Sequence, residues 1–99
     1  MTYEITATVR PDLRAAYEDF MRSRHIPDLL ATGAFAAASI ATSAGRYRIR
    51  YEARSRAALD EYLAKHAPRL RQHFMASFPE GIELSREEWL VLEGWQADR

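Results

Sequence analysis

The chain of 99 residues contains no cysteine. This absence excludes disulfide bonds, thiolate nucleophiles, iron–sulfur clusters and cysteine-bound zinc. Long hydrophobic runs are also lacking, because no segment approaches the roughly 18 apolar residues of a membrane-spanning helix. The N-terminus opens on strand-like alternation rather than on a basic and then apolar leader. We therefore expect a cytoplasmic protein without a membrane partner.

The chain has no excess charge of either sign. Its 14 lysine and arginine side chains balance 14 aspartate and glutamate side chains. Without net charge there is no global field to attract a phosphate backbone, so we expect no nucleic-acid partner. Hydrophobic residues make up 47% of the chain and charged residues 28%, as in ordinary folded proteins. We expect residues 1–99 to form a single domain with one modest core.

One short phrase occurs twice in the sequence. It reads RHIPDLL at residues 24–30 and KHAPRLR at residues 65–71, each time after an amphipathic helical pattern. The chain therefore consists of two similar halves. Because the residue before a proline avoids helical dihedral angles, Pro27 predicts that the first helix ends or bends near His25, before a short turn.

Hydrophobic periodicity predicts four strands. Apolar and polar side chains alternate strictly over residues 3–9 and again over residues 46–53, which is typical of half-buried strands. A further strand is expected over residues 34–42. The last strand is expected within residues 83–93, where Trp89 and the three residues after it are apolar on both faces.

The predicted helices lie between these strands. Pro11 and Asp12 open the first helix, and Gly33 is a natural stop signal for a helix. Ser55 caps the second helix, which reaches His66 and resumes through Phe78. The order is βαββαβ. It predicts an α+β, ferredoxin-like fold with a four-stranded antiparallel sheet in the order 4-1-3-2 and two helices on one face.

The other face of this sheet has no helices to cover it. It carries Glu4, Glu52 and the arginines of the third strand, which we expect to form cross-strand ion pairs. Such a face can be open to water, bind a partner or line the polar interior of a dimeric barrel. An apolar edge strand with Trp89 and Trp95 nearby is prone to aggregate unless it is covered. We therefore predict a twofold homodimer.

The layout and two phrases, HIPDLLATG at residues 25–33 and HAPRLR at residues 66–71, resemble those of a known family. It is an uncharacterised "domain of unknown function" family of short bacterial proteins in the dimeric α+β barrel superfamily. The resemblance covers nearly the whole chain and implies the fold and a homodimer. It implies no activity. The wider superfamily includes cofactor-independent monooxygenases, polyketide cyclases and haem-degrading enzymes, whose activities would transfer only by analogy of fold.

The histidines are the natural candidates for acid–base chemistry. His25 could act as a base, because imidazole titrates near neutral pH, and Asp28 could orient it if the backbone stays helical. The alternative is structural, since a histidine at a helix C-terminus is stabilised by roughly 0.3–1 kcal/mol. The symmetry of the two halves places His25 and His66 at opposite ends of one subunit, so they should not meet.

Several side chains are expected to face the layer between sheet and helices. If a small-molecule pocket lies there, its ligand-binding residues are four tyrosines, with hydroxyls near the rim, and one histidine: Tyr17, Tyr47, Tyr51, Tyr62 and His66. His66 and His73 would be separated by about 10 Å of helical rise, too far to share a metal. We expect no metal and no cofactor.

Three functions fit these observations. The leading hypothesis is a homodimer that binds a small, partly apolar molecule between sheet and helices. The second is a cofactor-independent enzyme of the cyclase or monooxygenase type, with His25 as base, Asp28 as its orienting group and a tyrosine as proton donor. The third is a structural or regulatory interaction module that uses the apolar last strand.

Overall fold

A computed structural model describes residues 1–98 of the chain. Its four strands form one antiparallel sheet and are β1 Thr2–Val9, β2 Phe35–Ser43, β3 Arg46–Ala53 and β4 Ile82–Trp89. They lie in the order β2-β3-β1-β4, which is the predicted order 4-1-3-2 read from the other edge. The ferredoxin-like α+β fold is confirmed.

The third strand matches its prediction at both ends. Tyr47, Ile49 and Tyr51 are buried under the helices, whereas the arginines between them are exposed. Successive side chains of a strand point to opposite faces, so the strict alternation in this segment determines which face is covered.

The last strand is shorter than the segment expected for it. Trp89 pairs with Thr2, the first residue of β1, so the ladder has no further partner in β1 beyond this point. Residues 90–92, which are apolar, lie after β4 and are exposed. Residues 90–92 thus follow the strand, and the expectation that they form its end is wrong.

The helical segment between β1 and β2 is longer than predicted. It consists of a 3-10 turn Pro11–Leu13, α1 Arg14–Phe20, a π-helical turn Met21–His25 and α2 Ile26–Ala31. Of the two predicted possibilities, an end of the helix near His25 is wrong, because Ile26 keeps helical angles, with φ −63° and ψ −48°. The interpretation of His25 as a helix-end residue is wrong for the same reason. The regular α-helix is instead interrupted by the π-helical turn that finishes at His25, and the short turn expected after His25 is the helix α2.

The π-helical turn explains how the helix passes the proline. The amide of Ile26 donates to the carbonyl of Met21, five residues back, so the backbone is wider just before Pro27. This widening relieves the clash between a proline ring and the turn that precedes it. The hydroxyl of Ser23 donates to the carbonyl of Asp19 at 2.6 Å, which satisfies an acceptor in the same stretch.

The other helix ends follow the predicted signals. Gly33 has φ +82° and stops α2. Ser55 Oγ accepts from the amide of Ala58 at 3.0 Å and caps α3 Arg56–Lys65. His66 lies at the junction between α3 and α4 Ala67–Ser77. The helix-end interpretation therefore holds for His66 alone. Within residues 1–98, no helix is long and apolar enough to cross a membrane.

The uncovered sheet face is organised around one buried carboxylate. Glu4 is 8% exposed, and it accepts from Arg50 Nε at 2.6 Å and from Trp89 Nε1 at 3.2 Å. The predicted pairing of Glu4 with arginine is confirmed. Glu52 instead accepts from the hydroxyl of Thr2 at 2.6 Å. Its predicted ion pair does not occur within the part of the chain that the structure describes.

Candidate functional site

A narrow cavity opens between the sheet and the helices. Its volume is about 430 Å³ with the open mouth included, and the interior space open to water is about 40 Å³. Its lining comes from all four α-helices, the π-helical turn and three strands: Tyr3, Ile5, Tyr17, Met21, His25, Leu29, Tyr51, Tyr62, Arg71, Phe74, Leu84 and Arg86. The space suits a few waters or a slim, flat group, and a bulkier ligand needs the mouth to widen.

The π-helical turn supplies one wall of the cavity. Met21 is its first residue and His25 its last, and both line the cavity together with Leu29 of α2. Because the helix continues past Pro27, these three side chains stay on one face of one helical segment. The unexpected continuation of the helix therefore shapes the site.

The hydroxyl of Tyr51 is the most unusual polar group in the cavity. Tyr51 is 0% exposed, and its hydroxyl has no hydrogen-bond partner among the protein groups of residues 1–98. A buried hydroxyl without a partner costs about 1–3 kcal/mol. Its partner must therefore come from whatever fills the cavity, either water or a ligand. The expectation that the tyrosine hydroxyls reach the rim is wrong for Tyr51.

His25 presents its ring to the cavity from an aromatic cluster. Its centroid lies 5.7 Å from that of Phe20 and 5.8 Å from that of Phe74. Burial lowers the pKa of His25 to about 4, and the charges of Arg86 and His73 act in the same direction, while Asp28 opposes them. The imidazole is therefore neutral at pH 7 and can accept a hydrogen bond or a proton.

The buried tyrosines keep their protons. Burial raises the pKa of Tyr17, Tyr51 and Tyr62 above the ordinary value of a phenol. Their hydroxyls are thus donors at any physiological pH. The cavity interior combines hydroxyl donors, one neutral imidazole and apolar walls.

Two arginines from opposite layers lie at the mouth. Arg71 extends from α4 and Arg86 from β4, and both are exposed while lining the cavity. Arg71 donates to the hydroxyl of Tyr3 at 3.1 Å. Neither arginine forms an ion pair with a carboxylate within the described residues 1–98.

The predicted site residues divide into two groups. The cavity brings together Tyr17, His25, Tyr51 and Tyr62. Tyr47, Asp28 and His66 do not line it. Tyr47 donates to Glu18 at 2.6 Å from outside the cavity, and His66 lies in a separate shallow depression that shares Tyr62. Asp28 is exposed and forms no hydrogen bond with His25 in the described part of the chain.

The two arginines at the mouth were not among the predicted site residues, although each carries a signal in the sequence. Arg86 takes the helix-facing position of β4 after Ile82 and Leu84, where an apolar residue is expected. Arg71 stands beside the buried residues Leu70 and Phe74 on the packed side of α4. At both positions a charge interrupts an otherwise apolar, core-facing pattern.

The described residues 1–98 hold no group of three or more histidine or acidic side chains placed to share a metal ion.

A family model described as "Domain of unknown function (DUF4286)" matches residues 1–91. No curated protein in the comparison shows significant similarity to the chain. Among solved structures, Rv0793 from Mycobacterium tuberculosis is similar, with TM-score 0.60 and 21% identity, covering 95% of this chain and 100% of that one.

Two further structures share the fold. One is described as an antibiotic biosynthesis monooxygenase, with TM-score 0.59 and 18% identity, covering 92% of this chain and 100% of that one. The other is a candidate antibiotic biosynthesis monooxygenase from Deinococcus radiodurans, with TM-score 0.60 and 12% identity, covering 98% of this chain and 100% of that one. At these identities the likeness shows a shared fold.

Proposed function

The chain belongs to the family described as a domain of unknown function (DUF4286). We propose that it forms a homodimer that binds a small, partly apolar molecule in the cavity. The observation that carries the proposal is the hydroxyl of Tyr51, which lies fully buried in the cavity without a protein partner. A ligand oxygen or nitrogen at that point would accept its hydrogen bond.

Simple packing does not account for this hydroxyl. Phenylalanine has the same shape and would fill the position without the cost of an unpartnered donor. The aromatic walls around it supply apolar contact area for the rest of a ligand. A polar group deep inside an apolar pocket is the usual arrangement for fixing the orientation of a bound small molecule.

The binding proposal is tested by comparing Tyr51→Phe with Tyr47→Phe. Both tyrosines are buried on the same face of β3, but the Tyr47 hydroxyl is paired with Glu18 and lies outside the cavity. The measurement is the rise in melting temperature that a panel of aromatic and short aliphatic metabolites produces. We expect Tyr51→Phe to keep or raise the stability of the free protein and to lose the rise caused by ligands.

Tyr47→Phe should do the opposite. It should lower the stability of the free protein by about 1 kcal/mol, because a hydrogen bond to a carboxylate is lost, and leave the response to ligands unchanged. A panel that stabilises neither the wild type nor the variants would contradict the proposal. A ligand response that survives Tyr51→Phe would mean that water alone satisfies this hydroxyl.

The second candidate is a cofactor-independent enzyme of the cyclase or monooxygenase type. The observation in its favour is that a neutral imidazole, His25, faces the same cavity as three protonated tyrosine hydroxyls. A pKa of about 4 makes His25 a weak proton acceptor, and an efficient base titrates near the working pH. Asp28 is exposed and would act on His25 through its charge only.

The enzyme candidate is tested with compounds that bind the wild type. Each is incubated with the protein in air and followed by mass spectrometry. His25→Gln should abolish turnover while changing the melting temperature little. Conversion that continues at the same rate in His25→Gln would exclude His25 as the base. A compound that binds but is never converted would leave binding as the function.

The homodimer is supported by apolar surface. Trp89 is 50% exposed and Leu92 is 91% exposed, and the sheet face that ends at Trp89 has no helices over it. Burying these side chains against a second copy would remove a large apolar area from water. An interaction module that uses the same segment for another protein is the alternative. The cytoplasmic location and the absence of a nucleic-acid partner stay predictions.

A further inference from the structure

The charges around the cavity are unevenly distributed. The interior is neutral, but the mouth carries Arg71 from α4 and Arg86 from β4. Four other arginines of the chain are engaged with carboxylates: Arg10, Arg48, Arg50 and Arg56. The two arginines at the mouth have no such partner within residues 1–98.

The acids near the mouth do not compensate for these cations. Glu88 follows Arg86 by two residues on the same face of β4, but Arg56 of α3 engages it. Asp28 of α2 is exposed and influences His25 by its charge, without a hydrogen bond to either arginine. An anion that enters the cavity mouth would therefore meet two guanidinium groups that have no other counter-ion.

The geometry of Arg71 fits such a role. One of its N–H groups donates to the hydroxyl of Tyr3 at 3.1 Å, which holds the guanidinium against the cavity wall. The other N–H groups of the planar guanidinium stay free, and two of them side by side match the two oxygens of a carboxylate. The positive charge reaches the interior, because Arg71 and Arg86 both act to lower the pKa of Tyr62 while burial raises it.

We propose that the ligand is a small carboxylic acid with a flat, mostly apolar body, whose carboxylate binds Arg71 and Arg86 at the mouth while the body lies between the aromatic rings and brings one acceptor oxygen or nitrogen to the hydroxyl of Tyr51. This inference rests on the proposed binding function and adds the chemical class of the ligand. The narrow interior favours flat bodies over branched ones, since little space is free without movement of the walls.

The test uses matched probes that differ only in charge. 4-Methoxybenzoate and 4-methoxyphenylacetate, whose ether oxygen can accept from Tyr51, are titrated in parallel with 4-methoxybenzamide and 4-methoxyphenylacetamide, and dissociation constants are measured by calorimetry or by thermal shift. We expect the acids to bind about tenfold or more tightly than their amides, because each amide lacks the charge-assisted hydrogen bonds. Because the mouth is exposed, added salt should weaken binding of the acids and leave the amides unaffected.

The variants Arg71→Gln and Arg86→Gln should each reduce the preference for acids about tenfold. Arg22→Gln is the matched control, since Arg22 is an exposed arginine of the first helical segment that lies outside the cavity lining. It should leave the preference intact although the net charge changes equally. All three positions are on the surface, so the free variants should melt close to the wild type.

Each other outcome overturns a different statement. Equal binding of acids and amides would overturn the carboxylate inference and leave the binding function standing. Inorganic phosphate binding as tightly as the acids would show a simple anion site at the mouth without a ligand body in the cavity. A complete lack of binding by acids and amides would count against the proposed function itself.

Discussion

His25 and Tyr51 face the same cavity, and burial acts on their pKa values in opposite directions. Removing a group from water disfavours its charged form, so the pKa of the imidazole falls and that of the phenol rises. Both groups are therefore neutral at pH 7. The interior of the cavity thus offers neutral hydrogen-bonding groups, and the charged side chains of the lining, Arg71 and Arg86, lie at the mouth.

The lowered pKa of His25 predicts a loss of stability in acid. Its value of about 4 in the folded protein lies below the unfolded value of 6.5. As the pH falls from 6.5 to 4, the unfolded chain therefore takes up a proton that the folded chain does not, which favours unfolding. Since His25 is partly exposed, we expect this group to contribute about 2 kcal/mol to the loss.

The measurement is urea unfolding at pH 7.0 and pH 4.5 for the wild type and for His25→Phe. Phenylalanine keeps the ring contacts with Phe20 and Phe74 but does not titrate. The variant should lose less free energy of unfolding than the wild type between the two pH values, by about 2 kcal/mol. Parallel losses in the two proteins would show that His25 titrates as it does in the unfolded chain.

Among the helices and strands, the features that could be predicted from sequence are those that a single residue or a short segment determines. The alternation over residues 46–53 predicts β3 with the correct bounds, because successive side chains of a strand point to opposite faces of the sheet, one buried and one exposed. Ser55 and Gly33 predict helix ends, because a hydroxyl cap and a positive φ are properties of single residues. These elements could be predicted without knowing the rest of the molecule.

The capping role of Ser55 can be tested by substitution. Ser55→Ala leaves the amide of Ala58 without its acceptor at the start of α3, so it should lower the free energy of unfolding by about 1 kcal/mol. Ser77→Ala is the control, because Ser77 ends α4, where the amides are already bonded within the helix. It should change stability by less than about 0.5 kcal/mol. Equal effects of the two substitutions would contradict the capping role.

The continuation of the helix through Pro27 could not be predicted in the same way. Whether a proline stops a helix depends on whether the turn before it can widen, and the hydrogen bond from Ile26 to Met21 is a property of the packed segment. The predicted helix end at His25 failed for that reason. Without the continuous helix, it could not be predicted that Met21, His25 and Leu29 form one wall of the cavity.

The candidate site was predictable in part. Strand parity and helix spacing place the tyrosines between sheet and helices, and the burial of all four agrees with that. Periodicity does not tell where a hydroxyl ends, so it could not separate Tyr51, which faces the cavity, from Tyr47, which bonds to Glu18. The arginines at the mouth come from elements far apart in sequence, and only the folded chain brings them together.

At the scale of the whole molecule, the chain forms two layers with one side left uncovered. It measures 41 × 37 × 21 Å, and its radius of gyration is 14.3 Å. A compact domain of 100 residues has a radius of gyration of about 13 Å. The open sheet face and the exposed residues after β4 are consistent with this extended shape. A second copy seated against that face would bury Trp89 and cover the Glu4 cluster beside it.

The proposed dimer is tested by sedimentation at micromolar concentration, where the wild type should have twice the mass of one chain. Trp89→Glu should yield a monomer or an aggregate, because it removes apolar contact area and places a carboxylate beside Glu4, which now accepts a bond from Trp89. Met75→Glu is the matched control, since Met75 is 55% exposed but lies on α4, on the opposite side of the sheet. It should leave the dimer intact.

The two substitutions together separate the dimer from general effects of added charge. Each adds one carboxylate at a half-exposed apolar position, so any difference between them reflects the face on which the residue lies. A wild type that sediments as a monomer would contradict the dimer itself. A dimer that survives Trp89→Glu but dissociates in Met75→Glu would move the interface to the helical side, where it would lie over the layer that contains the cavity rather than over the open sheet face.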